Sequence, residues 1–108
     1  MPSRDYLGEF EKIVLLALLR LGKNAYGVPA RREIEQRAQR VVSIGALYST
    51  LDRLESKGYV TSWYADPNAA RGGRSKRYFR VEPPGINAIQ RSQKVLASML
   101  EGVDLQKV

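Results

Sequence analysis

The chain has 108 residues, enough for one small domain with a core of modest size. Lys and Arg number 18 against 11 Asp and Glu, and this net charge of +7 favours a polyanionic partner such as nucleic acid or an anionic membrane surface. Cys and His are both absent, which removes the commonest metal ligands and the commonest general base, so we expect no metal, no cofactor and no catalytic residue. The longest apolar run, residues 13–19, is too short for the roughly 20 residues of a membrane-spanning helix.

Two helices are predicted in the first part of the chain. The first covers about residues 8–21 and ends at Gly22; its middle is apolar on all sides, so it runs through the domain's centre or turns one face to a second subunit. The second ends near Ala38, with Val28 and Ile34 also on its buried side. We interpret its arginines as a solvated surface partly neutralised by glutamates, with phosphate contact as the alternative. These arginines are Arg31, Arg32, Arg37 and Arg40.

A third helix is predicted between Ser43, a good N-cap, and Gly58. One face repeats apolar residues at spacings of three and four: Ile44, Leu47, Leu51 and Leu54. Small or hydrogen-bonding residues on the other face would let a grooved surface approach closely and still offer donors and acceptors. They are Gly45, Ala46, Ser49, Thr50 and Arg53. An ordinary solvent-exposed face is the alternative interpretation.

Residues 59–65 and about 75–81 are predicted to form two antiparallel strands, because β-branched and aromatic residues dominate the first and alternate through the second. The connection from Asp66 to Arg74 is longer than most hairpin loops, and long loops on a rigid scaffold are often functional. Residues 71–80 hold five of the 18 basic residues and no acid. The sequence therefore predicts a basic hairpin tip.

A last helix is predicted over about residues 84–101, after Pro83. Its apolar face has heptad-like spacing with Gln93 as the polar exception, and a second apolar row makes the face wider than one contact needs. We expect part of this face to cover the domain and part to meet a partner, rather than a small-molecule pocket formed by this helix alone.

The order helix, helix, helix, strand, basic loop, strand, helix is that of a winged helix-turn-helix. The predicted fold class is mainly α with a small β-hairpin, as a winged helix-turn-helix domain over residues 1–85 and one C-terminal dimerisation helix over residues 86–108. In such a domain the third helix reads base edges of double-stranded DNA, while basic residues gain affinity by releasing counterions. The alternative is a protein-interaction module whose basic hairpin docks on an acidic partner. An enzyme acting on nucleic acid is disfavoured, because no nucleophile-base pair is visible.

The sequence also resembles the PadR-like transcriptional regulators over nearly its whole length. The segments that carry the resemblance are Leu-Gly-Glu-Phe-Glu at 7–11, Ala-Tyr-Gly at 25–27, Ser-Ile-Gly-Ala-Leu-Tyr at 43–48, Leu-Asp-Arg-Leu-Glu-Ser-Lys-Gly-Tyr-Val at 51–60 and Arg-Gly-Gly-Arg-Ser-Lys-Arg-Tyr-Phe at 71–79. The resemblance implies a cytoplasmic bacterial or archaeal repressor that is a homodimer through its first and last helices. It also implies that a small-molecule effector or a stress signal releases the protein from DNA.

Patterns and resemblance together predict two sets of site residues. The predicted DNA-binding residues are Ser43, Ala46, Tyr48, Ser49, Thr50, Arg53, Arg71, Arg74 and Lys76. The predicted dimer interface is Phe10, Val14, Leu18, Ile86, Ile89, Gln93, Leu96 and Leu100. Tyr48 has two interpretations: a ring at the core's edge with its hydroxyl on a phosphate, or packing alone.

Two features depart from the family pattern. Members commonly have a Leu-Thr pair before the last helix, where this chain has Val-Glu-Pro-Pro at 81–84, so the hydroxyl cap is replaced and we expect the helix to leave the hairpin differently. The C-terminal region is one helix, as in the short subgroup, without the multi-helix effector domain of longer members.

Overall fold

The computed structural model describes residues 6–65 and 76–107. Within these ranges the elements are α1 (Glu9–Leu21), a 3-10 turn (Gly22–Asn24), α2 (Gly27–Ala38), α3 (Ile44–Ser56), β1 (Val60–Tyr64), β2 (Arg77–Val81) and α4 (Pro83–Leu100). The two strands pair antiparallel, with Val60 opposite Val81 and Tyr64 opposite Arg77. The winged helix-turn-helix order is confirmed, and the wing is the hairpin of β1 and β2 with its connecting residues 66–75.

The helix ends follow the local signals in the sequence. Ser43 caps α3 as predicted, because the Ala46 N–H donates to its Oγ at 3.1 Å. The predicted stop at Gly22 is also confirmed: this residue has φ of +57°, a left-handed conformation that glycine adopts at little cost.

The core lies between α1, α3 and the wing. Its most deeply buried side chains include Leu15, Ile34, Leu47, Leu51, Leu54 and Phe79. On α2 the buried residues are Gly27, Ala30 and Ile34, each about one helical turn after the last. The prediction that Val28 and Ala38 face the core was wrong: Val28 is 51% exposed and Ala38 is exposed. Val28 lies off this stripe, and Ala38 lies one turn beyond Ile34, past the packed part of the helix.

The wing is joined to the helices by the segment before α2. Tyr26 forms an isolated antiparallel bridge with Tyr78, and the Phe79 N–H donates to the Ala25 carbonyl at 2.9 Å. Gly27 begins α2 directly against α3, where an added Cβ would lie 3.0 Å from Tyr48 Cζ and overlap its hydroxyl. The start of α2 therefore touches both the wing and α3, and a larger residue at position 27 would require the Tyr48 ring to move.

The first half of α4 packs on the domain, and the second half extends from it. Gly85, Ala88 and Ile89 are buried, whereas most residues beyond Ser92 are exposed. Glu82 precedes α4 but does not cap it, because its Oε2 accepts hydrogen bonds from Thr61 Oγ1 at 2.6 Å and Arg80 Nε at 3.2 Å. The side chain that replaces the family's hydroxyl cap thus ties the start of α4 to the wing. No helix in the described ranges has the length and apolar character needed to cross a membrane.

Candidate nucleic-acid interface

The outer face of α3 carries small and polar side chains, and we call Ser43, Gly45, Ala46, Ser49 and Arg53 the reading face. All five residues are exposed, while the apolar residues of α3 at 47, 51 and 54 are buried. A Cβ added at Gly45 would meet no atom within 4 Å, so the fold itself does not require glycine there. The absence of bulk leaves the first half of the reading face open to close approach by another surface.

Thr50 does not belong to the reading face. It is 3% exposed and lies at the edge of the buried stripe, where its Oγ1 accepts a hydrogen bond from Arg53 Nη2 at 3.2 Å. Because Thr50 lies one turn after Leu47 and one turn before Leu54, it turns inward with them. The residue pattern of α3 predicts Thr50 on the outer face; in the structure Thr50 is buried and orients Arg53.

Tyr48 packs its ring at the edge of the core. The ring is half-buried and tilted against Phe79, with centroids 6.2 Å apart, and its hydroxyl lies against Gly27. Both interpretations of Tyr48 share this packed ring. A hydroxyl contact with phosphate stays a prediction.

A buried carboxylate connects α1 to the reading face. Glu11 is 6% exposed and accepts hydrogen bonds from the Gly8 N–H at 2.9 Å and from Lys57 Nζ at 3.1 and 3.0 Å. Arg53 Nε lies 3.5 Å from Glu11 Oε2, although the Arg53 side chain stays 57% exposed. Burial raises the pKa of Glu11, but the Gly8 N–H, Lys57 and Arg53 outweigh it and hold the pKa below its ordinary value. Glu11 therefore remains charged at neutral pH. Sequence patterns do not predict its contacts with Lys57 and Arg53.

The described cations of the basic segment differ in their contacts. Arg71 and Arg74 lie outside the described residues. Lys76 is exposed, with its Nζ 4.6 Å from the centroid of the Tyr26 ring and 3.4 Å from the Tyr26 hydroxyl. This contact holds the Lys76 ammonium beside the start of α2.

Arg77 is turned away from solvent and joins the wing to α3. It donates hydrogen bonds to Glu55 Oε1 at 2.7 Å, Asp52 Oδ1 at 3.2 Å and Ser62 Oγ at 3.2 Å. Burial lowers the pKa of Arg77, but hydrogen bonds to Glu55 and Asp52 raise it above its ordinary value. Two carboxylates thus neutralise this cation, and Arg77 sets the position of the wing on α3.

The arginines of α2 and its C-terminal flank agree with the solvated-surface interpretation. Arg37 Nε lies 2.9 Å from Glu33 Oε2, which also lies 2.7 Å from Arg20 Nε on α1. Hydrogen bonding by Arg20 and then by Arg37 lowers the pKa of Glu33. Arg31 pairs with Glu35 at 3.7 Å, and the Arg40 guanidinium lies 4.8 Å from the Phe10 ring centroid. Arg32 is exposed and makes no hydrogen bond, ion pair or ring contact with another described residue.

The predicted dimer residues fall into two environments. Val14, Leu18 and Ile89 lie inside the core of this chain, and Phe10 packs half-buried against it. Ile86 is half-buried. Gln93, Leu96 and Leu100 are exposed on the second half of α4. On α1 the exposed apolar side chains are Leu16 at 45% and Leu19 at 43%, neither of which was predicted. The face of α1 available to a partner is therefore the one opposite Val14 and Leu18.

Other kinds of site have little support in the described ranges. No group of three or more Asp, Glu, His or Cys residues there could hold a metal ion. The reading face and the wing present hydroxyls and cations, which are groups that can contact phosphates and base edges.

A sequence model of the transcriptional regulator PadR-like family matches residues 15–91, from the second turn of α1 to the middle of α4. The chain belongs to this family. Membership makes it a DNA-binding transcriptional regulator, as the resemblance implied. The chain is also 30% identical over 100 residues to an uncharacterized protein from Lysinibacillus sphaericus, covering 91% of this chain and 87% of that relative.

Solved structures of transcriptional regulators share the fold. A transcriptional regulator from Clostridium thermocellum has a TM-score of 0.68 at 24% identity, covering 91% of this chain and 89% of its own. A PadR-family transcriptional regulator from Eggerthella lenta has a TM-score of 0.67 at 23% identity, covering 88% and 82%. The hsRosR-S4 complex has a TM-score of 0.69 at 25% identity, covering 96% and 83%. The family's winged helix-turn-helix thus extends over most of the chain.

Proposed function

We propose that the chain is a homodimeric repressor that binds a pseudo-palindromic operator in double-stranded DNA. The observation that carries the proposal is the reading face: an exposed row without bulk at the start of α3, bounded by the wing. A helix of this kind enters the major groove with its N-terminal residues nearest the base edges. Ser43 and Ser49 offer hydroxyls there, and Ala46 offers a methyl group to a thymine methyl.

Cations around the reading face supply the affinity in this proposal. Arg53, more than half exposed and oriented by Thr50, lies at the end of the reading face. On the wing, Arg71, Arg74 and Lys76 contact phosphates and release counterions, and they act on all DNA sequences alike. The reading face selects the sequence.

The second half of α4 is the proposed dimer surface, together with the outer face of α1. Leu96 is 59% exposed, Met99 71% and Leu100 41%, and contiguous apolar surface of this kind commonly marks an interface. Two-fold symmetry would place two reading faces on half-sites about one helical turn, ~34 Å, apart. Met99→Glu should yield monomers by light scattering, whereas Lys94→Glu on the same exposed helix segment should leave the dimer intact. A dimeric Met99→Glu protein would remove this surface from the interface.

Release of DNA by a small effector is the remaining part of the proposal. An open cavity of about 410 Å³ lies between the start of α1 and α4. Its wall includes Leu7, Val95 and Met99, so occupancy would act on the same surface that forms the proposed dimer.

Selection of bound duplexes from a random-sequence library tests the function. We expect enrichment of an inverted repeat whose half-sites are centred about 10 base pairs apart. A protein-interaction module with a basic wing would instead bind duplex DNA weakly and enrich no motif. That result would refute sequence-specific binding.

A further inference from the structure

One aromatic surface of the wing is exposed and has no role in the function proposed above. Trp63 and Tyr78 are cross-strand partners, so they point to the same side of the hairpin. Their rings stack with centroids 6.1 Å apart and planes at 18°. The Tyr78 ring in turn contacts Tyr26, at 5.2 Å between centroids. We call these three residues the aromatic row, and its outer member Trp63 is 48% exposed.

The aromatic row connects the wing to the start of α3. At the inner end, Tyr26 is followed by Gly27, whose backbone lies against Tyr48 on α3. At the outer end, the Ala65 N–H donates to the Lys76 carbonyl at 2.9 Å, which extends the hairpin one pair beyond its strands. The aromatic row therefore lies between the end of the hairpin and the contact of α2 with α3.

The two sides of the hairpin differ in charge. On the side of the aromatic row, the Lys76 ammonium lies over the Tyr26 ring, and the carboxylate on that side, Glu82, accepts hydrogen bonds from Thr61 and Arg80. On the opposite side, Arg77 is bound by Asp52 and Glu55 of α3. Lys76 and Arg80 outnumber Glu82 on the first side, which attracts phosphates, whereas Asp52 and Glu55 outnumber Arg77 on the second, which repels them. Charge thus favours the aromatic row as the side that faces DNA.

We propose that Trp63 binds the sugar-phosphate backbone of duplex DNA, with its exposed ring packed on a deoxyribose and Lys76 on an adjacent phosphate. The inference rests on the DNA-binding function proposed above and adds a contact that is not ionic. An aromatic ring removes apolar sugar atoms from water without releasing counterions. Loss of the ring should therefore weaken binding by about 3- to 10-fold at every salt concentration. The salt slope, which is the slope of log affinity against log salt concentration, should stay unchanged.

Trp63 is the single tryptophan of the chain, so its fluorescence reports on this site in the unaltered protein. We suggest measuring the quenching of Trp63 by acrylamide before and after saturation with a selected operator duplex, with binding followed separately by the anisotropy of a labelled duplex. The expected result is that the quenching constant falls at least about 2-fold in the complex, because DNA covers the exposed half of the ring. Full binding with an unchanged quenching constant would overturn the role of Trp63 but not the proposed function. Failure to bind any duplex would overturn both.

Matched variants on the two sides of the hairpin give a second test. Tyr64 is 66% exposed, is adjacent to Trp63 and points to the opposite side. Trp63→Ala should lose about 3- to 10-fold in operator affinity, Trp63→Phe should recover most of it, and Tyr64→Ala should keep the affinity of the unaltered protein. Equal losses in Trp63→Ala and Tyr64→Ala, or no loss in either, would overturn the proposal. The quenching measurement needs no substitution, so it tests whether DNA covers Trp63 even if Trp63→Ala disturbs the hairpin.

Discussion

Replacing Glu11 by Ala should be the most destabilising single change at the junction of α1 and α3. The variant loses the hydrogen bond that caps α1 at Gly8, a contribution of about 1 kcal/mol. It also removes the two carboxylate oxygens that accept from the Lys57 ammonium, whose side chain is 22% exposed. The Tyr6 carbonyl, which already accepts from Lys57, remains. Hydrogen bonds to charged groups contribute about 1.5–3 kcal/mol, and we take ~2 kcal/mol because Lys57 reaches solvent. We ascribe no further cost to Arg53, since its contact is long and its side chain is exposed.

The expected loss of unfolding free energy in Glu11→Ala is therefore about 3 kcal/mol, which lowers the melting temperature of a domain of this size by about 15 °C. Glu11→Gln should cost about half as much, since its amide oxygen can still accept the Gly8 N–H. Thermal and urea unfolding followed by circular dichroism measure both values. Glu9→Gln is the matched control, because Glu9 is exposed in the same first turn, and it should change stability by less than about 0.5 kcal/mol.

The pH dependence of the Glu11→Gln effect gives a sign that can be checked. Folding lowers the pKa of Glu11, so its charge stabilises the folded chain above the unfolded pKa of about 4.3. This stabilisation is lost as the pH falls through the folded pKa. The difference in the free energy of unfolding between the unaltered protein and Glu11→Gln should have its full size at pH 7 and shrink below about pH 4. A difference that persists undiminished at pH 3, or none at pH 7, would refute the ion pair as its cause.

Four further substitutions separate structural residues from DNA-binding ones. Gly27→Ala should destabilise the fold by about 1–3 kcal/mol through overlap with Tyr48, whereas Gly45→Ala should leave the unfolding midpoint unchanged or slightly raised and lower operator affinity. Equal melting temperatures for these two variants would contradict the close packing at Gly27. Lys76→Ala should weaken binding to all duplexes and reduce the salt slope by about 1, while Arg77→Ala should cost about 1–2 kcal/mol of stability with the slope unchanged. The reverse pattern would exchange the roles assigned to these two cations.

The sequence was sufficient for the parts of the fold that depend on neighbouring residues. Apolar spacing predicts each helix, and the Ser43 cap and the Gly22 stop act within one turn of the chain. The strands were found because β-branched and aromatic residues bracket a loop rich in glycine and arginine. Element bounds agree with the prediction to within two residues for this reason.

Features that depend on how helices pack were not accessible from the sequence. Thr50 lies three or four positions from residues of both the apolar and the polar face of α3, so its spacing fits either face and only its burial in the folded domain decides between them. Val14 and Leu18 belong to a helix that is apolar all round, so periodicity could not tell its core side from its exposed side. Glu11 and Lys57 are 46 positions apart, and no local pattern connects them.

The environments of Lys76 and Arg77 also depend on packing and could not be predicted from the sequence. Its composition predicts a polyanion partner, but Arg77 is paired with two carboxylates of α3 that lie far from it in sequence. Lys76, its neighbour, stays exposed beside the start of α2. Two adjacent cations of similar chemistry therefore differ in environment because the strand turns them to opposite sides.

The most direct test of sequence-specific DNA binding is the affinity of the purified chain for its selected operator and for a shuffled duplex between ~50 and ~200 mM salt. We predict that both affinities fall steeply and linearly on a logarithmic scale, because phosphate contacts release counterions, and that the operator binds more tightly at every salt concentration. An operator affinity that changes little over this range, or equals that of the shuffled duplex, would contradict the proposal.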